Sequence, residues 1–96
     1  MRSIEDIRHT LVSRKPELAR RFHVKNLAIF GSYSRDEQKA DSDIDLLVEF
    51  DAPVGVEFID LANYLEDLLH ARVDLVSRNG IKPKYFRVIE SDLKYV

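Results

Sequence analysis

The sequence predicts an α/β (α+β) domain, a small mixed sheet of about three strands flanked by helices. Three observations predict it. The chain has 96 residues, enough for one modest core, so a single domain over 1–96 is expected. Its apolar residues switch between helical spacing and the strict alternation of a strand. The order in which they switch is α-β-α-β-α-β-α. A composition of 45% apolar and 33% charged residues is that of an ordinary globular chain, not a disordered or fibrous one.

Each element has a local reason. Ser3-x-x-Asp6 resembles a capping box with Asp in place of Glu. Ile4, Ile7, Leu11 and Val12 follow at helical spacing. Pro16 interrupts and suits the start of a second short helix carrying Leu18 and Phe22. Val24 to Phe30 is mostly apolar and reads as a strand, ended by Gly31-Ser32. The polar stretch to Ser42 reads as a short helix or loop. From Asp43 to Phe50 the chain alternates, with Ile44, Leu46, Val48 and Phe50 on one face and Asp43, Asp45, Leu47 and Glu49 on the other. Pro53 and Gly55 break it. Val56 to Leu69 carries a broad helical stripe of Ile59, Leu61, Ala62, Leu65, Leu68 and Leu69. Val73 to Val76 is a third strand with Asn79-Gly80 as the turn after it, and Pro83 opens a last helix through Phe86 and Ile89.

The net charge of −2 hides a segregation. Residues 1–40 hold nine Lys and Arg against five Asp and Glu, residues 41–74 ten acids against Arg72 alone, and residues 75–96 five bases against two acids. An acidic middle between basic ends suits a site that binds cations through carboxylates and phosphates through its flanks, although a helix with a solvated acidic face has the same balance. No cysteine is present, which excludes disulfides, thiolate metal sites and a cysteine nucleophile. No apolar run approaches the roughly 20 residues of a membrane span, and the first residues lack the apolar core of a signal peptide. A cytoplasmic protein is expected.

Asp43-Ile44-Asp45 needs a chemical explanation. On one strand face the two carboxylates stand roughly 6.5–7 Å apart and repel by roughly 2–3 kcal/mol at an effective dielectric near 20. Asp also fits strand interiors poorly. A divalent cation between the oxygens would reverse that cost, and Mg²⁺ prefers such ligands. An edge strand that uses acids against aggregation is the plain alternative. Gly31-Ser32 at a strand end lets backbone N–H groups approach a phosphate, with the Ser hydroxyl as a further donor. Arg35 and Lys39 lie within reach of that turn. Asp74, inside the apolar strand Val73 to Val76, could complete a three-carboxylate cluster if the two strands are neighbours.

Taken together, Gly31-Ser32, ten intervening residues and Asp43-x-Asp45 resemble the signature of the DNA polymerase β-like nucleotidyltransferase superfamily. The length, Val73-Asp74-Leu75-Val76 and Lys82-Pro83 are similar to its minimal members of the MntA type, encoded beside HEPN-domain proteins in prokaryotic toxin–antitoxin pairs. The resemblance implies a polymerase β-like nucleotidyltransferase fold and transfer of AMP from ATP to a tyrosine hydroxyl of a HEPN toxin. It implies that Asp43, Asp45 and Asp74 are catalytic and hold two Mg²⁺ ions. Gly31 and Ser32 would grip the β and γ phosphates, and Arg35 and Ser42 would join them in binding the nucleotide. One departure is visible. The family commonly has Gly directly after that Arg, whereas this chain has Asp36, which suits a positive φ less well and adds negative charge near the phosphates. The implied partners are the toxin and ATP, with no membrane and no direct nucleic-acid contact. Rival readings are an antitoxin that acts by contact alone, and an enzyme with a small-molecule or RNA acceptor.

Other residues carry plainer readings. His9, His23 and His70 read as surface or boundary residues, and Tyr33, beside the turn, as a packing residue or a nucleotide contact. The stripe Leu61, Leu65, Leu68 and Leu69 is core or partner interface, which periodicity alone does not separate. Lys82 and Lys84 fit a phosphate contact or a solvated helix start equally.

Overall fold

The computed structural model describes residues 3–96. Helix α1 runs Ile4–Ser13 and opens with the expected capping box: Asp6 N–H donates to Ser3 Oγ at 3.2 Å and Ser3 N–H to the Asp6 carboxylate at 3.4 Å. Helix α2 (Lys15–Phe22) has Pro16 in its first turn, where a missing N–H costs nothing. Strand β1 (Val24–Phe30) leads into a short 3-10 helix, Gly31–Tyr33, and then a looped stretch before strand β2 (Ile44–Phe50). Helix α3 (Glu57–Leu69), strand β3 (Val73–Ser77) and helix α4 (Pro83–Ile89) follow. A second 3-10 helix, Glu90–Asp92, precedes a two-residue strand, β4 (Lys94–Tyr95).

The polar stretch after β1 is thus mostly loop, and β4 is an addition to the three expected strands. Two residues are too few to show alternation. What makes β4 a strand is its pairing with β1, Ala28 opposite Tyr95 and Ile29 opposite Lys94.

Among the described residues the sheet order is β3-β2-β1-β4. β1 lies antiparallel to both β2 and β4, and β2 lies parallel to β3. A parallel pair needs a long crossover, and α3 supplies it. Helices α1, α2 and α3 cover one sheet face. There Ile7, Leu11, Leu18, Leu61, Leu65 and Leu69 pack on Leu27, Ile29, Ile44, Leu46 and Val48. The leucines Leu61, Leu65 and Leu69 are fully buried, so most of the α3 stripe is core, with Leu68 at its margin. On the other face Phe30, Leu47 and Ile89 form a smaller cluster, joined by Val76, Ile81, Phe86 and Leu93. That cluster explains Leu47, the apolar residue on the acidic face of β2. His23 and His70 take left-handed conformations at the C-caps of α2 and α3. Tyr33 is buried in the main core.

Candidate active site

The site forms where β2 is flanked on both sides. Asp45 pairs in register with Phe30 of β1 and with Asp74 of β3. One pairing sets its carboxyl beside Asp74, and the other sets it against Gly31, the residue after Phe30. The space there admits no side chain. A Cβ on Gly31 would lie 2.0 Å from Asp45 Oδ2, and Gly31 has a φ of +74°. Both facts demand glycine.

Asp45 records the electrostatics of this arrangement. Burial first, then the charge of Asp74, a hydrogen bond shared with Asp74 and the charge of Asp43, push its pKa from 3.8 up to about 6, while Arg35 pulls it down. A half-buried carboxyl facing other carboxylates keeps its proton to a higher pH than usual because the charged form is both desolvated and repelled. Asp43 precedes β2 by one residue. Its carboxylate meets Arg72 Nε at 3.1 Å, and Ile44 N–H donates to the Arg72 carbonyl at 2.9 Å, extending the ladder between β2 and β3.

Among the described residues no three His, Cys, Asp or Glu side chains converge on one point as ready metal ligands. The structure brings Asp45 and Asp74 together, with Asp43 turned toward Arg72. The donor chemistry nevertheless fits Mg²⁺, which takes one or two carboxylates and fills its remaining positions with water and phosphate oxygens. Two carboxyls forced into one place are also the kind of repulsion that a divalent cation relieves.

The turn after β1 is closed by its own backbone. Ser34 and Arg35 N–H donate to the Gly31 carbonyl at 3.0 and 3.1 Å, and Glu37 N–H donates to the Ser32 carbonyl at 2.8 Å. Asp36 has a φ of +58°, so the position after Arg35 does adopt the left-handed region. Arg35 donates from Nε to Glu37 at 3.0 Å and from Nη1 to Asp92 at 2.8 Å. Those two hydrogen bonds raise its pKa further above its ordinary value. Ser42 Oγ accepts from Lys39 N–H at 2.8 Å and closes the loop that leads to Asp43. Asp92 is a residue of this site that the sequence reading missed. It lies 57 positions from Arg35, and no local pattern announces it.

Known proteins resemble this chain in sequence and fold. The family model for the nucleotidyltransferase domain matches residues 13–96. Protein adenylyltransferase MntA of Thermococcus cleftensis is 42% identical over 97 residues, covering 100% of this chain and 98% of that one. A chain of a toxin–antitoxin crystal structure with AMP-PNP superposes with a TM-score of 0.74 at 24% identity, over 91% of this chain and 69% of its own. A chain of the tri-AMPylated Shewanella oneidensis HEPN toxin in complex with MNT antitoxin gives 0.62 at 23%, over 95% and 66%. The last two share the fold. The family model over most of the chain and the near full-length relative go further: this chain belongs to the nucleotidyltransferase domain family, among its minimal, MntA-like members.

Proposed function

We propose that this single domain is a cytoplasmic, Mg²⁺-dependent protein adenylyltransferase that transfers AMP from ATP to a tyrosine hydroxyl of a partner HEPN toxin, and so acts as its antitoxin. The observation that carries the reading is the in-register pair Asp45 and Asp74 set against the Gly31 turn. The near full-length relative is named for protein adenylyltransfer, and one structural neighbour is a complex of an AMPylated HEPN toxin with its antitoxin.

Asp45, Asp74 and Asp43 would hold the metal, which when bound neutralises phosphate charge and favours the ionised form of the attacking hydroxyl. Gly31 and Ser32 hold the β and γ phosphates at the turn, and Arg35 adds a fixed positive charge. Asp74 is exposed at the rim, so it faces an acceptor arriving from solvent. The acceptor oxygen bonds to the α-phosphorus, its proton passes to the Asp74 carboxylate, and the bond to the β-phosphate oxygen breaks to release pyrophosphate. Nothing covalent forms on this chain. Positioning carries the rate, with the reacting atoms within about 3–3.5 Å of one another.

The rival reading of neutralisation by contact alone draws on Asp36, which brings negative charge and a left-handed φ to the turn. One experiment decides between them. Purified chain receives labelled ATP and Mg²⁺ alone, with unrelated proteins, and with a candidate HEPN partner protein. Label confined to a tyrosine of the HEPN protein is the expected result. Neutralisation of the toxin without label would leave the contact reading, and rapid labelling of an antibiotic or an RNA would give the acceptor to another class.

A further inference from the structure

We propose that Asp92 is a positioning residue for the phosphate-binding turn, one that fixes Ser34 and Arg35 and through Arg35 sets the affinity for the nucleotide triphosphate. The proposal rests on the nucleotidyltransferase reading above and deepens it.

Two different groups of Asp92 reach the same turn. Its carboxylate accepts from Arg35 Nη1 at 2.8 Å, and its backbone carbonyl accepts from the Ser34 hydroxyl. Glu37 accepts from Arg35 Nε at 3.0 Å, so the guanidinium is gripped on two edges. A guanidinium carries five N–H donors. These two bonds use two of them and leave the others for an anion. The charge also stays close enough to bear on Asp45.

Asp92 is itself well anchored. The 3-10 helix that ends with it follows Ile89, buried in the second cluster, and precedes Leu93, packed against that cluster. Beyond Leu93, β4 pairs with β1, and Val96 N–H donates to the Leu27 carbonyl at 2.9 Å. The Asp92 side chain is 22% exposed against 46% for Arg35, so the acid is the fixed member of the pair. An ion pair this open contributes little to stability. Its effect lies in orientation. A free Arg must give up rotamer freedom when it binds phosphate, and one already held by two carboxylates has less to lose.

The test is a double-mutant cycle on the full chain, with wild type, Asp92→Ala, Arg35→Ala and the double variant. The dissociation constant for ATP in the presence of Mg²⁺ is read by titration calorimetry, and the melting temperature is taken for each protein. Asp92→Ala should weaken ATP binding by about five- to tenfold, yet by less than about twofold when Arg35 is already Ala, which is the signature of coupled residues. Asp92→Asn, which keeps an acceptor in place, should recover part of the loss. An equal loss in both backgrounds overturns the proposal, as does binding by Asp92→Ala as tight as or tighter than wild type, or a loss that comes only with a lowered melting temperature. Wild type that binds no ATP overturns the nucleotide reading and this proposal with it. Wild type that binds ATP while the variants stay uncoupled overturns this proposal alone.

Discussion

Replacing Asp45 by Asn should stabilise the ligand-free protein at neutral pH and leave it nearly unchanged near pH 4. Burial and the facing carboxyls of Asp74 and Asp43 lift the Asp45 pKa to about 6 in the folded chain, whereas in the unfolded chain it stays near the ordinary value of about 3.9. Below that value both states are protonated and nothing is lost. As the pH climbs toward 6, the unfolded chain releases its proton while the folded chain keeps it, so stability falls with rising pH. Above about 6 the loss is complete. Fully expressed it would amount to about 3 kcal/mol. Asp74 is exposed, and solvent screening reduces the figure to about 1–2 kcal/mol. Asn cannot ionise and can still donate to Asp74. In a chain of this size 1 kcal/mol moves the melting temperature by about 4–8 °C. The variant should therefore gain about 4–16 °C at pH 7.5. The assay is paired thermal unfolding of wild type and variant from pH 4 to 8, with chelator present. Titrating groups that do not interact with Asp45 cancel in the difference. A difference that stays flat across this range, or a wild type more stable than the variant at pH 7.5, would refute the placement of Asp45 against Asp74.

Two further substitutions probe the turn. Gly31→Ala forces a Cβ to within 2.0 Å of Asp45 Oδ2 at a φ of +74°. It should cost about 2 kcal/mol or more, beginning with the left-handed penalty, and erase the stabilisation given by Mg²⁺ plus ATP in a thermal-shift assay. A variant that melts within about 2 °C of wild type would sink that account. Asp36→Gly and Asp36→Asn both remove a charge from the turn proposed to hold the phosphates and should tighten ATP binding by about two- to fivefold, as measured by calorimetry. Weaker binding in both would show that the acid serves the turn.

Much of the fold could be read from local pattern. The alternation of Ile44, Leu46, Val48 and Phe50 named the buried face of β2, and all four are buried. The spacing of Ile7 and Leu11, and of Leu61, Leu65 and Leu69, named the inner faces of α1 and α3 in the same way, although Val12 and Ile59, counted in the same stripes, are exposed. Gly31 and Asp36 were legible as positions with backbone demands, and both have positive φ. Less could be read where the cause is distant. The α3 leucines were ambiguous between core and interface because periodicity reports that a face is apolar and says nothing of what covers it. Strand β4 was invisible because two residues have no period.

The sequence by itself determined the element types, their apolar faces, and the presence of a glycine turn and three acids that together resemble a nucleotidyltransferase signature. The tertiary structure decided which acids meet. Side-chain alternation fixes the face on which Asp45 and Asp74 emerge, but only the parallel pairing of β2 with β3 makes them neighbours. The same holds for Arg35, whose anchor at Asp92 exists because the chain end returns to β1 and carries the acid with it. Local sterics and hydrophobic periodicity act over a few residues, so they are written in the sequence. Pairing register and chain return join residues dozens of positions apart, and they are settled only when the whole core closes.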